Sequence, residues 1–109
     1  MDTETLIAPL VDALKEHHPS SNENEVRRAF DVARKAHEGQ LRKSGEDYIT
    51  HPVAVSLILA ELGLNETTII ASLLHDTVED TPYSLEQLRS DFGDEISNLV
   101  DGVTKLDKL

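Results

Sequence analysis

The sequence predicts an all-α fold, and three observations support that prediction. Apolar residues recur at three- and four-residue spacing along most of the chain, which is the period of an amphipathic helix. Residues that start or stop helices separate these periodic segments. β-Branched residues fall inside the helical periods and not in alternating runs, so no strand is predicted. We therefore expect about six helices.

The first half of the chain contains two predicted helices and a loop. The first helix covers about residues 4–16 and stops before Pro19, which cannot continue it. The second starts near Glu23, and Gly39 is its expected C-terminal cap. Residues 40–48 follow; they are polar and show no helical period, so this segment is predicted to be a loop.

The second half contains four more predicted helices. The third has Pro52 in its first turn, where the missing N–H costs nothing, and extends to Gly63. Asn65 is the expected N-cap of the fourth helix, in which helical periodicity places Ile69 at the polar edge. A capping box that begins at Ser84 opens a short fifth helix, which Gly93 closes. A sixth helical period then continues to the last residue.

Composition excludes several functional classes. Ten Lys and Arg stand against 21 Asp and Glu, a net charge of −11, which argues against binding to nucleic acid or anionic membranes. There is no Cys, so disulfides, thiolate nucleophiles and Cys-ligated zinc are excluded. No apolar run approaches the roughly 20 residues of a membrane span. The acidic start lacks the basic region of a signal peptide, so a cytoplasmic protein is the simplest interpretation.

The end of the fourth predicted helix could carry chemistry. His75, Asp76, Glu79 and Asp80 place one imidazole and three carboxylates within two turns. Carboxylates this close repel each other unless a cation intervenes. Imidazole combined with carboxylate oxygen suits Mn, Fe or Zn better than calcium. The simpler interpretation is a solvated acidic face, but carboxylates oppose the dipole at a helix C-terminus and so favour a functional reason.

A further metal ligand must come from another helix. His51 is the best candidate, because it lies directly before Pro52, which restricts the backbone at the helix start. Considered alone, this histidine is more often structural. His17, His18 and His37 show no partner spacing and are interpreted as structural or solvent-exposed.

Four segments together resemble a known family. They are residues 36–46 (AHEGQLRKSGE), 48–52 (YITHP), 73–81 (LLHDTVEDT) and 102–106 (GVTKL). They resemble the N-terminal hydrolase domain of RelA/SpoT homologues, which make and degrade (p)ppGpp in the bacterial stringent response. That domain belongs to the HD hydrolase superfamily, so the resemblance implies an HD-domain helical bundle.

The resemblance also implies a set of site residues. The expected cofactor is a manganese ion, Mn²⁺, and three residues are its implied ligands: His51, His75 and Asp76. Two residues are implied in water activation: Glu79 and Asp80. Three residues of the loop are implied contacts of the guanine nucleotide: Arg42, Lys43 and Ser44. The implied reaction removes the 3′-pyrophosphate of guanosine tetra- or pentaphosphate, giving GDP or GTP and pyrophosphate.

Two departures from the family pattern matter. Asp47 stands where many relatives have proline. The family's fourth metal ligand, an aspartate on a later helix, would lie beyond Leu109. We therefore expect residues 1–109 to be a partial, C-terminally truncated HD hydrolase domain, with weak metal binding and little hydrolase activity. We also expect self-association to cover exposed helix faces.

Two other functions stay open. The chain could be an HD phosphohydrolase for another nucleotide, although the Arg42-Lys43-Ser44 loop favours the guanine alarmone. It could also be a non-catalytic regulatory domain of a (p)ppGpp synthetase. In a non-catalytic domain the hydrolase site would have been lost, and the intact residues at positions 75, 76, 79 and 80 argue against that.

Overall fold

The computed structural model describes residues 3–107, and this part of the chain is helical, as predicted. Six helices follow one another in the order α1 (Thr3–His17), α2 (Glu23–Ala36), α3 (Thr50–Glu61), α4 (Glu66–Asp80), α5 (Leu85–Phe92) and α6 (Asp94–Asp107). Within residues 3–107 the only extended pairing is an isolated antiparallel bridge between Leu41 and Asp47. The continuation of the sixth helical period to Leu109 lies partly outside the described residues.

Helix α4 is the centre of the bundle. It packs against α2, α3 and α6, while α1 packs against α3 and α2, and α5 packs against α6. Its apolar residues form the middle of a single hydrophobic core, in which Leu, Ile, Val and Ala supply nearly all the buried side chains. Because α4 is fixed on three sides, the polar residues at its C-terminal end are carried on a rigid element.

Local capping signals act as the sequence predicts at three positions. The Asn65 side chain accepts a hydrogen bond from the backbone of Thr68 at 3.0 Å and so caps α4. Ser84 and Gln87 form a complete capping box at the start of α5. Gly93 ends α5 with a φ of 95°, a left-handed region that favours glycine. The start and end of this short helix therefore follow from local sequence alone.

Two local predictions were wrong. Helix α2 ends at Ala36 with His37 as its C-cap, so Gly39 lies beyond the cap, in the following turn. Ile69, placed by helical periodicity at the polar edge of α4, is fully buried. The reason is that three helices surround α4, so its buried face is wider than that of a helix packed on one side only.

Several large apolar side chains stay exposed. They lie mainly on α3, the turn after it and α6: Val55, Ile58, Leu62, Leu64, Leu99 and Leu106. Among the helices of residues 3–107, none combines the length and apolar character needed to cross a bilayer.

Candidate metal centre

The last two turns of α4 bring an imidazole and two carboxylates together. His75 Nδ1 lies 3.1 Å from Asp76 Oδ1, and His75 Nε2 lies 3.0 Å from Glu79 Oε2. One potential ligand atom from each of His75, Asp76 and Glu79 lies within 4.8 Å of the other two. The spacing of one helical turn between positions 75 and 79 produces the second contact directly.

This arrangement favours a bound cation. Both ring nitrogens of His75 face carboxylate oxygens at hydrogen-bond distance. A neutral imidazole has only one N–H, so one of these contacts would otherwise set a nitrogen lone pair against a carboxylate. A divalent cation would resolve this conflict and the repulsion between the carboxylates, so the donor set fits an imidazole- and carboxylate-binding metal.

The start of α3 places His51 beside this group. His51 Nε2 lies 4.0 Å from Asp76 Oδ2. The side chains of His51, His75 and Asp76 line one cavity of about 350 Å³, whose wall is otherwise mainly apolar residues of α3, α4 and α6. His51 therefore faces the same space as His75 and Asp76, although it lies 24 and 25 positions before them in the sequence. It is not in the tightest group of donors.

The distances group these residues without assigning them roles, so the division between ligands and water-activating residues stays a prediction. Glu79 was assigned to water activation, yet it lies in the tightest donor group, whereas His51, assigned as a ligand, lies outside it. Asp80 is exposed at the end of α4, and its backbone carbonyl accepts a hydrogen bond from Gln40 Nε2 at 3.3 Å. The geometry thus gives Glu79 two available roles and leaves the Asp80 carboxylate outside the tightest group.

The predicted nucleotide-binding residues lie on the loop between α2 and α3. The Arg42 backbone N–H donates to the Glu46 carbonyl at 2.8 Å, and Gly45 adopts a φ of 91° in the turn. Arg42 Nη1 lies 3.4 Å from Thr50 Oγ1 at the start of α3. Lys43 and Ser44 are exposed at the tip of this turn. The loop is therefore anchored at its base, and its tip presents polar side chains to solvent.

Tyr48 is a site residue that the sequence reasoning did not single out. Its hydroxyl donates to Asp76 Oδ2 at 2.9 Å. The pKa of Tyr48 is raised to about 12, mainly by burial and secondly by this hydrogen bond. The phenol is thus a neutral donor at physiological pH. Its position in the segment that leads to His51 was the only available signal, since nothing local indicates its contact with α4.

His37 was interpreted as structural or solvent-exposed, and the structure shows that it is structural and buried. It is 2% exposed, with Nδ1 at 3.0 Å from Gln40 Oε1 and Nε2 at 3.2 Å from Thr77 Oγ1. Its ring centroid lies 4.6 Å from that of Tyr48. These contacts connect the end of α2 and the following loop to α4, next to the donor group.

Comparisons with known proteins agree with the fold. Residues 29–109 match the family described as "HD domain". A probable GTP pyrophosphokinase of Mycobacterium leprae is 59% identical over 104 residues, and the bifunctional (p)ppGpp synthase/hydrolase SpoT of Escherichia coli is 49% identical over 104 residues. Each alignment covers 95% of this chain, and the chain spans 13% and 15% of these two relatives.

A third relative carries the name of a hydrolase. The guanosine-3′,5′-bis(diphosphate) 3′-pyrophosphohydrolase of Haemophilus influenzae is 60% identical over 78 residues, which is 72% of this chain and 12% of that protein. Names of synthetases and of hydrolases thus occur among the relatives of the same stretch of sequence. The helical bundle, the residues that it gathers and these matches lead to one conclusion: the chain belongs to the RelA/SpoT family and is built as an HD domain.

Proposed function

We propose that this site hydrolyses the 3′-pyrophosphate of (p)ppGpp with a manganese ion held by His51, His75 and Asp76. The observation that carries the proposal is the convergence of α3 and α4: the His51 and Asp76 side chains approach to 4.0 Å beside the His75 pair. The names of the relatives from Haemophilus influenzae and Escherichia coli support (p)ppGpp as the substrate.

The ligands divide naturally between the two helices. His75 and Asp76 come from the rigid centre of the bundle, and His51 comes from the first turn of α3. When bound, manganese would supply a Lewis acid that offsets phosphate charge and favours ionisation of water. Imidazole nitrogen and carboxylate oxygen are suitable donors for this metal.

Glu79 and Asp80 are proposed to handle the proton of the attacking water. Glu79 lies one turn beyond His75 and within the donor group, so its carboxylate can accept a proton close to the reacting phosphorus. The oxygen of water forms a bond to phosphorus, and the bond from that phosphorus to the ribose 3′ oxygen breaks. The 3′ oxygen takes up the proton that the carboxylate accepted from water, so the products are GDP or GTP and pyrophosphate.

The loop is proposed to bind the nucleotide. The protein has a net charge of −11, so its overall field repels a polyphosphate. Attraction must therefore be local, and Arg42, Lys43 and the Ser44 hydroxyl offer two positive charges and a donor beside the entrance to α3. The Arg42 guanidinium lies against Thr50, the residue directly before His51. The positive charge of Arg42 is therefore on the side of the loop that faces the proposed metal ligand His51.

We propose that residues 1–109 form part of a hydrolase domain and that this chain alone is impaired. The family resemblance implies one more aspartate ligand outside this stretch, and only three of the proposed ligands, His51, His75 and Asp76, lie within it. We therefore expect weak manganese binding and little pyrophosphate release. Turnover of ppGpp by this chain at the rate of full-length relatives would contradict that expectation.

Manganese binding, measured by the loss of the free-ion electron paramagnetic resonance signal, tests the site. We expect the wild-type chain to bind Mn²⁺. We expect Asp76→Asn to weaken this binding by at least about tenfold, because the substitution removes the negative charge of one ligand. Asp12→Asn on α1 is the matched control for the same change of charge, and its affinity should be unchanged. Equal affinity of the wild-type and Asp76→Asn chains would overturn the proposed metal site.

Substrate assignment requires a second measurement. We expect the chain to bind ppGpp more tightly than GDP when manganese is present. We also expect Arg42→Ala to weaken the binding of ppGpp. A chain that binds ppGpp and GDP equally would favour an HD phosphohydrolase for another nucleotide.

A regulatory domain without catalysis is the second candidate function. It is favoured by the relatives named GTP pyrophosphokinase in Mycobacterium leprae and Streptomyces coelicolor, which are 59% and 54% identical to the chain. Absence of manganese binding in a full-length relative of this chain would support that function over hydrolysis.

A further inference from the structure

We propose that Tyr48 is a positioning residue for the metal site: its hydroxyl holds the Asp76 carboxylate in place, and the buried His37 ring holds Tyr48. This inference rests on the proposed function, because Asp76 is there assigned as a ligand. Neither Tyr48 nor His37 is proposed to bind the metal or the substrate.

The two oxygens of Asp76 are held from two different elements. Oδ1 lies 3.1 Å from His75 Nδ1 on the same helix. Oδ2 accepts the Tyr48 hydroxyl at 2.9 Å and faces His51 Nε2 at 4.0 Å. A carboxylate held only from one side can rotate about its terminal torsion, which is broad. The Tyr48 hydrogen bond restricts that rotation and keeps Oδ2 on the side of His51.

The Tyr48 ring is itself fixed between two histidines. Its centroid lies 4.6 Å from the His37 ring with an interplanar angle of 36°, and 5.8 Å from the His51 ring with an angle of 63°. Its backbone N–H donates to the Gln40 carbonyl at 2.9 Å, which anchors the loop around it. The phenol therefore reaches Asp76 from a position set by both ring contacts and backbone.

His37 has the contacts needed to hold this ring in one orientation. The Gln40 amide nitrogen donates to the Asp80 carbonyl, so its oxygen is the atom that faces His37 Nδ1 at 3.0 Å. An amide oxygen only accepts, so His37 Nδ1 donates to it. Nε2 forms the second hydrogen bond, with the Thr77 hydroxyl at 3.2 Å. Both nitrogens are satisfied, and the ring is fixed against α4.

Supporting partners of metal ligands commonly control affinity. Groups that hydrogen-bond to ligating carboxylates and imidazoles fix their orientation, and removal of one typically weakens metal binding by about 10- to 100-fold. A neutral phenol suits this role, because it donates to the carboxylate without adding a cation that would compete with the metal. The contact between Tyr48 and Asp76 therefore does more than pack the loop onto α4.

The molecule contains a matched control for this contact. The Tyr83 hydroxyl donates to Asp91 Oδ2 at 2.7 Å, away from the donor group. Tyr48→Phe and Tyr83→Phe each remove one phenol hydroxyl from one carboxylate and keep the ring. A purely structural role predicts that the two variants change manganese affinity equally little.

Manganese titrations of the 109-residue chain, followed by electron paramagnetic resonance, test the proposal. We expect Tyr48→Phe to raise the dissociation constant for Mn²⁺ by roughly tenfold or more. We expect Tyr83→Phe to leave it within about twofold of the wild-type value. Unfolding in urea is measured in parallel, so that a shift in affinity can be separated from a loss of folded protein.

The path through His37 is tested with Thr77→Val, which removes the hydroxyl that is hydrogen-bonded to Nε2. We expect this variant to weaken manganese binding in the wild-type background but to add nothing in the Tyr48→Phe background, since both act on one path. Fully additive shifts would overturn the role of His37.

The outcomes separate this inference from the metal site itself. If Asp76→Asn weakens manganese binding and Tyr48→Phe does not, the role of Tyr48 is overturned while the proposed ligand stands. If the wild-type chain binds no manganese, or binds it as well without the Asp76 charge, both the site and the positioning role are overturned. A tenfold effect of Tyr48→Phe with an unchanged Tyr83→Phe supports the inference.

Discussion

Replacing Thr77 by valine tests the buried contact between α4 and the end of α2. The Thr77 side chain is fully buried, and its hydroxyl lies 3.2 Å from Nε2 of His37, which is itself 2% exposed. Valine has nearly the same shape, so the variant removes the hydrogen bond and creates no large cavity. It leaves the imidazole nitrogen buried without the Thr77 hydroxyl.

The magnitude follows from that burial. A buried polar atom that loses its hydrogen-bond partner costs about 1–3 kcal/mol, because water cannot replace the partner. For a domain of this size, each kcal/mol lowers the melting temperature by roughly 4 °C or more. We therefore expect Thr77→Val to lower the free energy of unfolding by about 1–3 kcal/mol. The hydrogen bond from Thr81 Oγ1 is accepted by the backbone carbonyl of Thr77, which the substitution keeps, so it should persist.

Urea unfolding monitored by circular dichroism measures this loss, and Ser97→Ala provides a control of opposite sign. Ser97 is fully buried on α6, and its hydroxyl has no hydrogen-bond partner among the described residues. Its removal should leave stability unchanged or raise it by up to about 1 kcal/mol. Thr77→Val as stable as wild type, or Ser97→Ala as damaging as Thr77→Val, would refute the reasoning about the His37 contact.

Three further predictions concern capping, alkaline pH and association. Ser84→Ala removes the capping box of α5 and should cost about 1 kcal/mol in urea unfolding; an unchanged midpoint would contradict the role of the cap. The pKa of Tyr83 is raised above its ordinary value of 10.0, mainly by burial and secondly by the hydrogen bond to Asp91. Its contribution to stability should therefore be complete below pH 10.0 and be lost as the pH rises through the folded-state pKa, and phenolate absorbance in Tyr48→Phe should rise only above pH 10.0. Ile58 and Leu62 are 59% and 72% exposed, so we propose that α3 and its following turn self-associate. Sedimentation should show a concentration-dependent dimer that Leu62→Glu reduces, and a strictly monomeric wild-type chain would argue against it.

Much of the fold was predictable because its signals are local. The all-α class follows from apolar spacing, which depends only on the geometry of a helix. Asn65 and Ser84 cap their helices through backbone atoms within three residues, so neither needs tertiary contacts to be recognised. The contact of His75 with Glu79 likewise follows from one turn of helix. These features were predictable because each depends only on residues within about one turn of helix.

The burial of α4 was only partly predictable. Periodicity identified most of its apolar face but placed Ile69 at the polar edge, and this residue is fully buried. How many neighbours surround a helix depends on the packing of the whole bundle. Here α2, α3 and α6 all contact α4, and the sequence of one helix cannot specify that number.

The candidate site shows the same division. By itself the sequence determined the helices, most of their caps and the group formed by His75, Asp76 and Glu79, since these depend on neighbours within one turn. Only the tertiary structure decided that Tyr48 reaches Asp76, 28 residues away, and that His37 meets Thr77, 40 residues away. Hydrogen bonds at such separations form when packing brings whole helices together, and no local pattern specifies which side chains will then face each other.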